Sequence, residues 1–492
     1  MTIATTQMRH PSPARYRVAI ETLGCRLNQA ETAVLTRQFM DRGYEWVEKS
    51  DDADLCIIHT CALTSHATSK CRRLIRSVIR RNPDACVAAV GCYAQADAEE
   101  LREIRGLDYI VGTSEKMRLA DIIPYPVKLP EPVVVRGKAS RHRFTIEGAG
   151  YYPLHTRANI KVQEGCDFVC SFCIIPKSRG PARSRDFDDI LREARLLVSE
   201  GHRELIITGV NVGTYNERGR TLADVVDALD DVDGLERIRM SSIEPTTIEE
   251  RLVRRMTDGS KFCPYLHVPV QSGDDGIVEK MRRKYSVREY VEFMEGAVAR
   301  VPDVGLGTDV IVGFPGEDER AFDNTYRLIE RLPFNNVHVF SFSARKGTGA
   351  YRMGDRVPGD VIAERSRALH ELAAEKKKAF YEMQIGRTVD VLFEERRSDG
   401  CYVGFTDNYV KVAVQTRLEL ANRFGAVRVT AVDEPERHRP LLAAGELIAA
   451  EGLADSREGR YTQALRRGCS QASSAGAQPN ACEQEARAPR TV

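Results

Sequence analysis

The chain has 492 residues, 42% of them apolar, and its 72 basic and 71 acidic side chains leave a formal charge of +1. That length predicts about three domains, and the charge balance excludes capture of an anionic partner by bulk electrostatics, leaving only local patches. No run approaches the ~18 apolar residues of a membrane span, and Met1–Arg15 lacks the apolar core of a signal peptide, so a cytoplasmic protein without a membrane partner is expected.

After a disordered lead-in over residues 1–15, residues 16–125 alternate strands and helices. Val18–Leu23, Leu55–His59, Cys86–Val90 and Asp108–Gly112 read as strands, with helices over Gln29–Arg42, Thr64–Arg81 and Ala94–Arg105. The alternation predicts a small parallel α/β domain. Residues 126–152, rich in Pro, Gly and basic side chains, read as an irregular linker.

A second alternation occupies residues 153–380, with strands at Asn159–Gln163, Glu204–Val210, Arg237–Ile243, Tyr265–Gln271, Gly307–Phe314 and Asn335–Ser341. Helices such as Asp188–Glu200 and Val287–Ala299 separate them. Six β/α units are too few for a closed eight-fold barrel, so a partial barrel is predicted. Beyond the charged helix Val361–Tyr381, residues 381–450 hold four strands without intervening helices, Thr388–Glu394, Cys401–Thr406, Tyr409–Val414 and Ala426–Val432. That pattern predicts a small antiparallel β-barrel. Residues 451–492 are Ala-, Ser-, Gln- and Arg-rich and are expected to be a disordered tail.

Thirteen cysteines is a high, odd count for a long chain, and in a reducing compartment it points to metal binding or catalysis before disulfides. Cys166, Cys170 and Cys173 form Cys-x3-Cys-x2-Cys directly after the first strand of the second alternation. Three thiolates fall one short of a structural zinc site. They can hold three irons of a [4Fe–4S] cluster and leave the fourth open to a small molecule. A zinc knuckle or a chance run of buried cysteines is the competing reading.

Cys25, Cys61 and Cys92 occupy equivalent places, each two residues beyond the end of a predicted parallel strand. Loops at the carboxyl ends of such strands share one edge of the sheet, so these three thiols are expected to converge on a second cluster. Gly24 and Gly91 beside two of them permit tight turns. Cys56, Cys71 and Cys86 read as core residues, as do Cys263 and Cys401, and Cys469 and Cys482 fall in the tail.

These motifs resemble the radical S-adenosylmethionine (SAM) methylthiotransferases over about residues 16–435. The likeness runs through Thr22-Leu-Gly-Cys-Arg-Leu-Asn-Gln, the Thr-Cys step at Cys61, Gly91-Cys-Tyr-Ala-Gln, Lys161-Val-Gln-Glu-Gly-Cys and Asp309-Val-Ile-Val-Gly-Phe-Pro-Gly-Glu. The resemblance implies an auxiliary [4Fe–4S] cluster on Cys25, Cys61 and Cys92, and a SAM-binding [4Fe–4S] cluster on the catalytic Cys166, Cys170 and Cys173. It also implies a TRAM-like RNA-binding module in the C-terminal barrel, tRNA as partner, an electron donor such as flavodoxin or ferredoxin, and a monomer. One SAM would methylate sulfur held at the auxiliary cluster; a second, cleaved at the central cluster, would activate C2 of an adenosine.

Within the family, Thr22–Gln29, the run Ser241-Ser242-Ile243-Glu244-Pro245 and the Arg-rich Cys71–Arg81 before Asn82-Pro83 resemble the tRNA threonylcarbamoyladenosine branch. The isopentenyladenosine branch usually opens Tyr-Gly-Cys-Gln-Met-Asn, and the ribosomal-protein branch usually has Pro where this chain has Arg26. Those two branches, and an RNA-binding protein with purely structural clusters, are the competing readings. His59 stands where the family usually has Asn, and reads as a change beside the ligand shell.

SAM is expected along the barrel's top edge, with Gly209, Asn211, Ser242, Glu244, Gln271 and Gly313 as candidates and Glu244 as partner for its amino group. For RNA, the candidates are Arg72, Arg73, Arg76, Arg80 and Arg81 on one helix and Arg179, Arg183 and Arg185 after the cluster loop. Tyr402, Phe405 and Tyr409 in the small barrel could stack on bases, with core packing as the alternative.

Overall fold

A computed structural model describes residues 16–153, 156–433 and 441–451. The expected lead-in, nearly all of the expected tail, and Cys469 and Cys482 lie outside the described residues.

The N-terminal domain is a six-stranded parallel sheet of β1 (Arg17–Thr22), β2 (Glu45–Trp46), β3 (Leu55–Thr60), β4 (Cys86–Gly91), β5 (Tyr109–Gly112) and β6 (Val133–Val135), in the order β2-β1-β3-β4-β5-β6. β3 and β4 are buried along their whole length, as expected of central parallel strands covered on both faces. Helices α1 (Arg26–Asp41) and α2 (Ser65–Arg81) cover the sheet, and α2 opens with the Thr64 side chain accepting from the Ala67 N–H. Two strands depart from the sequence expectation. The two-residue strand β2 is too short to carry a periodic signal, and β6 lies inside the stretch read as irregular linker, where Pro130 and Pro132 mask a Val-Val-Val edge strand. The helix expected over Ala94–Arg105 is two short ones, α3 (Cys92–Ala96) and Ala98–Arg102, broken at Asp97.

The central domain is a partial barrel of six parallel strands, Arg157–Lys161, Glu204–Thr208, Arg237–Met240, Tyr265–His267, Gly305–Val312 and Asn336–Ser341. They form two three-stranded sheets that meet through the Ile238–Phe262 bridge and the Ile243 N–H donating to the His267 carbonyl at 3.0 Å. One continuous apolar core runs from Ala158 and Ile160 through Leu205, Ile238, Leu266 and Leu306 to Ile329. The edge strand Arg157–Lys161 has no sixth-strand neighbour, and α1 of the N-terminal domain packs against it.

The C-terminal strands Thr388–Arg396, Cys401–Phe405, Lys411–Gln415, Phe424–Val432 and Ala443–Ala450 close into a five-stranded barrel. The fifth strand was not expected, and it pairs in parallel with Lys411–Gln415, so the barrel is not wholly antiparallel. This barrel caps the start of the central strands through arginines. Arg237 donates to the Phe405 and Asp390 carbonyls, and Arg239 donates to the Thr406 and Asp407 carbonyls while pairing with buried Glu204. Burial raises the Glu204 pKa, but Arg239 and Arg157, with a smaller contribution from Arg237, hold its carboxyl down at about 2.

Candidate active site

Because β1, β3 and β4 are neighbours and all point the same way, the residues that follow them gather at one sheet edge. Cys61 and Cys92 follow the last residues of β3 and β4 directly, and Cys25 lies three residues past β1. The thiols sit close enough that Cys92 and Cys25 both raise the Cys61 pKa, although burial is the main reason it reaches about 12. Gly24 holds φ +105°, and a Cβ there would lie 2.8 Å from Cys61 Cβ; Gly91 holds φ +99°, and a Cβ there would lie 2.7 Å from the His59 ring. The two glycines are what lets the three loops close together.

Asn28 ties the loops to one another: its amide donates to the Leu23 carbonyl at 2.7 Å and the Thr60 carbonyl at 3.2 Å. Cys71 does more than the core packing its sequence position suggests. It is buried, and its sulfur accepts from the Cys61 N–H at 3.4 Å, so it props the Cys61 loop from behind. His59 is fully buried, and burial lowers its pKa to about 3, which makes it a neutral ring beside Glu31.

The central trio lies in the loop between the first barrel strand and the helix Ile175–Arg179, which packs against α3. Cys170 and Cys166 each raise the Cys173 pKa, and burial carries it to about 12; Cys166 reaches about 11 for the same reasons. Coordination to metal releases those thiol protons. Arg283, which sequence reading missed, donates to Cys170 Sγ at 3.4 Å and to Glu244 at 2.6 Å, a charge-assisted pair suited to a thiolate.

The donor chemistry tests what these trios fit. Tetrahedral zinc with Zn–S of ~2.3 Å brings its sulfurs to about 3.8 Å apart. Among the described residues, the only His, Cys, Asp or Glu set of three with ligand atoms all within 4.8 Å is His267, Asp309 and His338, so neither cysteine trio is drawn in as tightly as one ion requires. Three thiols gathered on neighbouring loops match the donor number of a four-iron cluster with one open iron instead.

A cavity of about 260 Å³ opens above the central trio. Cys166, Cys170 and Cys173 line it with four of the six expected SAM contacts, Asn211, Ser242, Glu244 and Gln271, between the aromatic walls of Phe168, Phe172, Phe340 and Phe342. Gln271 holds φ +66°, a conformation that is uncommon without glycine and recurs at binding sites. Gly209 and Gly313 are not among the lining residues. Gly209 packs on Gln163 and Val212, and a Cβ at Gly313 would lie 2.4 Å from Ile362, so both serve close packing behind the wall.

Between the two trios lies a buried ion network. Glu31 of α1 and Glu164 of the barrel are paired with Lys116, Lys161 and Arg179, all nearly inaccessible to solvent. Arg179 also donates to Asn28 Oδ1 at 2.6 Å, so one side chain spans from the helix after the central trio to the residue that ties the N-terminal loops. This corrects the reading of Arg179 and Arg185 as RNA contacts. Both are buried, and Arg185 is bound by Asp189 and Glu193. Arg183 is largely buried and pairs with Glu164. Arg72 is committed to Tyr93 and Glu100 and Arg81 pairs with Asp51, whereas Arg73, Arg76 and Arg80 do lie exposed along α2. Tyr402, Phe405 and Tyr409 are corrected as well. Tyr402 belongs to the small barrel's core, and Arg157 lies over the rings of Phe405 and Tyr409 at the junction with the central barrel.

An open, cysteine-bearing loop at the carboxyl edge of a parallel partial barrel defines a radical SAM enzyme, and residues 160–329 match the Radical SAM superfamily. Residues 17–112 match a family described only as the uncharacterized protein family UPF0004. The chain is 34% identical over 426 residues to the threonylcarbamoyladenosine tRNA methylthiotransferase MtaB of Bacillus subtilis (85% of this chain, 94% of that one), and 40% identical over 375 residues to the MtaB of Chlamydia pneumoniae (76% and 86%). It is 33% identical over 456 residues to a tRNA-2-methylthio-N(6)-dimethylallyladenosine synthase of Cereibacter sphaeroides (88% and 99%). The chain belongs to the radical SAM methylthiotransferase family, whose chemistry requires SAM and [4Fe–4S] clusters.

Proposed function

We propose that this protein adds a methylthio group to C2 of N6-threonylcarbamoyladenosine next to the anticodon of tRNA. The observation that carries the reading is the near full-length likeness to relatives named for that reaction, at 34–40% identity, on a fold that brings two cysteine trios to adjoining loops. When bound, the clusters and SAM supply the electron, radical and methyl chemistry that replacement of an unactivated aromatic C–H requires.

The chain's own residues hold, orient and enclose. Cys25, Cys61 and Cys92 would hold the auxiliary cluster and Cys166, Cys170 and Cys173 the SAM-binding one, three thiolates to each four-iron cluster. Arg283 stabilises the Cys170 thiolate and fixes Glu244, whose carboxylate, with Asn211, Ser242 and Gln271, offers polar groups to the amino-acid end of SAM. The Phe168, Phe172, Phe340 and Phe342 side chains give the cavity apolar walls. Exposed Arg73, Arg76 and Arg80 on α2 offer a row of cations to tRNA phosphates. A one-electron donor such as flavodoxin or ferredoxin, a cytoplasmic location and action as a monomer complete the reading; no helix among the described residues is long and apolar enough to cross a membrane.

The test is turnover by the anaerobically reconstituted full chain on anticodon stem-loops that carry threonylcarbamoyladenosine, isopentenyladenosine or plain adenosine. Methylthiolation of the first in strong preference to the others is expected. Preference for the isopentenyl loop would place the chain with the dimethylallyladenosine synthases, and no product from any loop would reject an RNA substrate of this kind.

A further inference from the structure

Three side chains from consecutive strands meet beside the same cavity, and neither cluster uses them; Asp309 lines the cavity, while His267 and His338 flank that carboxylate. Asp309 Oδ1 lies 2.9 Å from His267 Nε2 and 3.0 Å from His338 Nδ1, and the two rings stack with centroids 5.1 Å apart. Strand register explains the meeting: His267 pairs with Gly307 and Asp309 pairs with His338, so alternate inward residues of three parallel strands fall side by side. A Cβ at Gly307 would lie 2.4 Å from His267 Nδ1, so glycine there is what admits the ring.

One carboxylate oxygen at hydrogen-bond distance from both rings is satisfied by two imidazole N–H donors. The hydrogen bonds from both imidazoles hold Asp309 well below the usual carboxylate range, although burial opposes it. The two histidines then differ. His267 is nearly buried, whereas half of the His338 side chain is exposed, and its Nε2 makes no hydrogen bond among the described residues. His338 stands two residues before Phe340 on the same face of its strand, and both Asp309 and Phe340 line the cavity that holds the central trio. The pair therefore leaves one polar atom of an exposed ring without a partner among the described residues, beside the wall that Asp309 and Phe340 give the cavity.

Resting on the reading that the substrate is a modified adenosine in tRNA, we propose that His338, positioned by Asp309 and His267, is the specificity residue that hydrogen-bonds the polar acyl-amino-acid substituent on N6. C2 and C6 of adenine flank N1 on one edge of the ring, so a base whose C2 faces the cysteines sets its N6 substituent against the adjoining wall. With Nδ1–H given to Asp309, Nε2 is an acceptor in the neutral ring and a donor in the imidazolium. A threonylcarbamoyl group carries a urea, a hydroxyl and a carboxylate, and it satisfies either state. An isopentenyl group satisfies neither and leaves the ring desolvated and unpaired, which is how sites built around a hydrogen bond reject an analogue that lacks it.

The experiment measures binding of fluorescent anticodon stem-loops carrying threonylcarbamoyladenosine, isopentenyladenosine or unmodified adenosine to the reconstituted full chain, wild type against His338→Phe and His338→Gln. Iron content and cluster EPR spectra of each variant establish that the site is intact. The phenylalanine variant is expected to bind the threonylcarbamoyl loop about 10- to 100-fold more weakly while its affinity for the unmodified loop changes little; glutamine, which keeps a donor and an acceptor, recovers part of the loss. Unchanged preference for the threonylcarbamoyl loop in His338→Phe, with clusters intact, would overturn the proposal and leave the function standing. A wild-type chain with no preference for that loop would instead reject the function on which it rests. A stoichiometric metal beyond the cluster iron, lost in Asp309→Asn, would also overturn it, because two imidazoles and a carboxylate would then be metal ligands.

Discussion

Replacing Cys170 with alanine is expected to abolish methylthio transfer and to lower bound iron from about eight to about four atoms per chain, the count of one remaining four-iron cluster. The expectation follows from how the two trios are built. Cys166, Cys170 and Cys173 sit in a loop whose backbone is held by other contacts, the Ser171 N–H on the Met281 carbonyl at 3.0 Å and the Ser171 hydroxyl on the Lys280 carbonyl at 2.8 Å. Loss of one thiol therefore leaves the loop in place and removes a ligand. The N-terminal trio hangs on a different sheet and on Asn28, so its cluster should persist in the variant. Iron analysis with EPR after reduction, run beside product analysis on the modified stem-loop, checks both halves. Full iron and full activity in Cys170→Ala would mean that the central cysteines are structural. The mirror variant Cys25→Ala should keep the central cluster and lose only the other.

The second large effect belongs to Arg179. It is fully buried, and it joins Glu31 and Glu164 while it holds Asn28. Removing one partner from a buried ion network leaves charge without compensation, at a cost of about 3–5 kcal/mol. Arg179→Ala should therefore lower the free energy of unfolding by about 3–5 kcal/mol, moving the denaturation midpoint down, and loosen the junction between the N-terminal domain and the barrel, with iron lost first from the N-terminal trio. Denaturation followed by fluorescence together with cluster absorbance checks this, and coincident, unshifted transitions would contradict it. Glu31 gives the acid side of the same argument. Burial raises its pKa, but Arg179, Lys116 and Lys161 overcome that and hold it well below its ordinary value. A carboxyl depressed in the folded chain contributes stability above the unfolded value of about 4.3, and that stability is lost as pH falls below it. Wild-type stability should accordingly drop below about pH 4.3, and the Glu31→Gln variant should show a flatter decline from a lower start.

Much of the architecture was legible because it rests on periodicity. The strand and helix runs of both parallel domains and the edge position of Cys25, Cys61 and Cys92 follow from strand alternation and from the rule that loops at one end of a parallel sheet share a side. What escaped the sequence was set by partners distant along the chain. Val133–Val135 is a strand only because β5 offers it an edge, and the final barrel strand Ala443–Ala450 is weakly patterned and gains its place by closing a ring. Arg179 and Arg185 look like surface cations in sequence; burial against Glu31, Glu164, Asp189 and Glu193 is a tertiary fact. Gly209 and Gly313 sit at strand ends as the barrel rule predicts, but a glycine there serves close packing as readily as ligand contact. The His267–Asp309–His338 group was the most hidden, since its members are 42 and 29 residues apart and only the register of three strands unites them.

The most direct test of the account is mass spectrometry of tRNA nucleosides from the parent strain, a strain lacking the gene, and that strain carrying the gene back. The account predicts that 2-methylthio-threonylcarbamoyladenosine disappears in the deletion, its precursor without the methylthio group accumulates, and the restored gene reverses both. Persistence of that nucleoside in the deletion, with no second enzyme of the family in the strain, would contradict it.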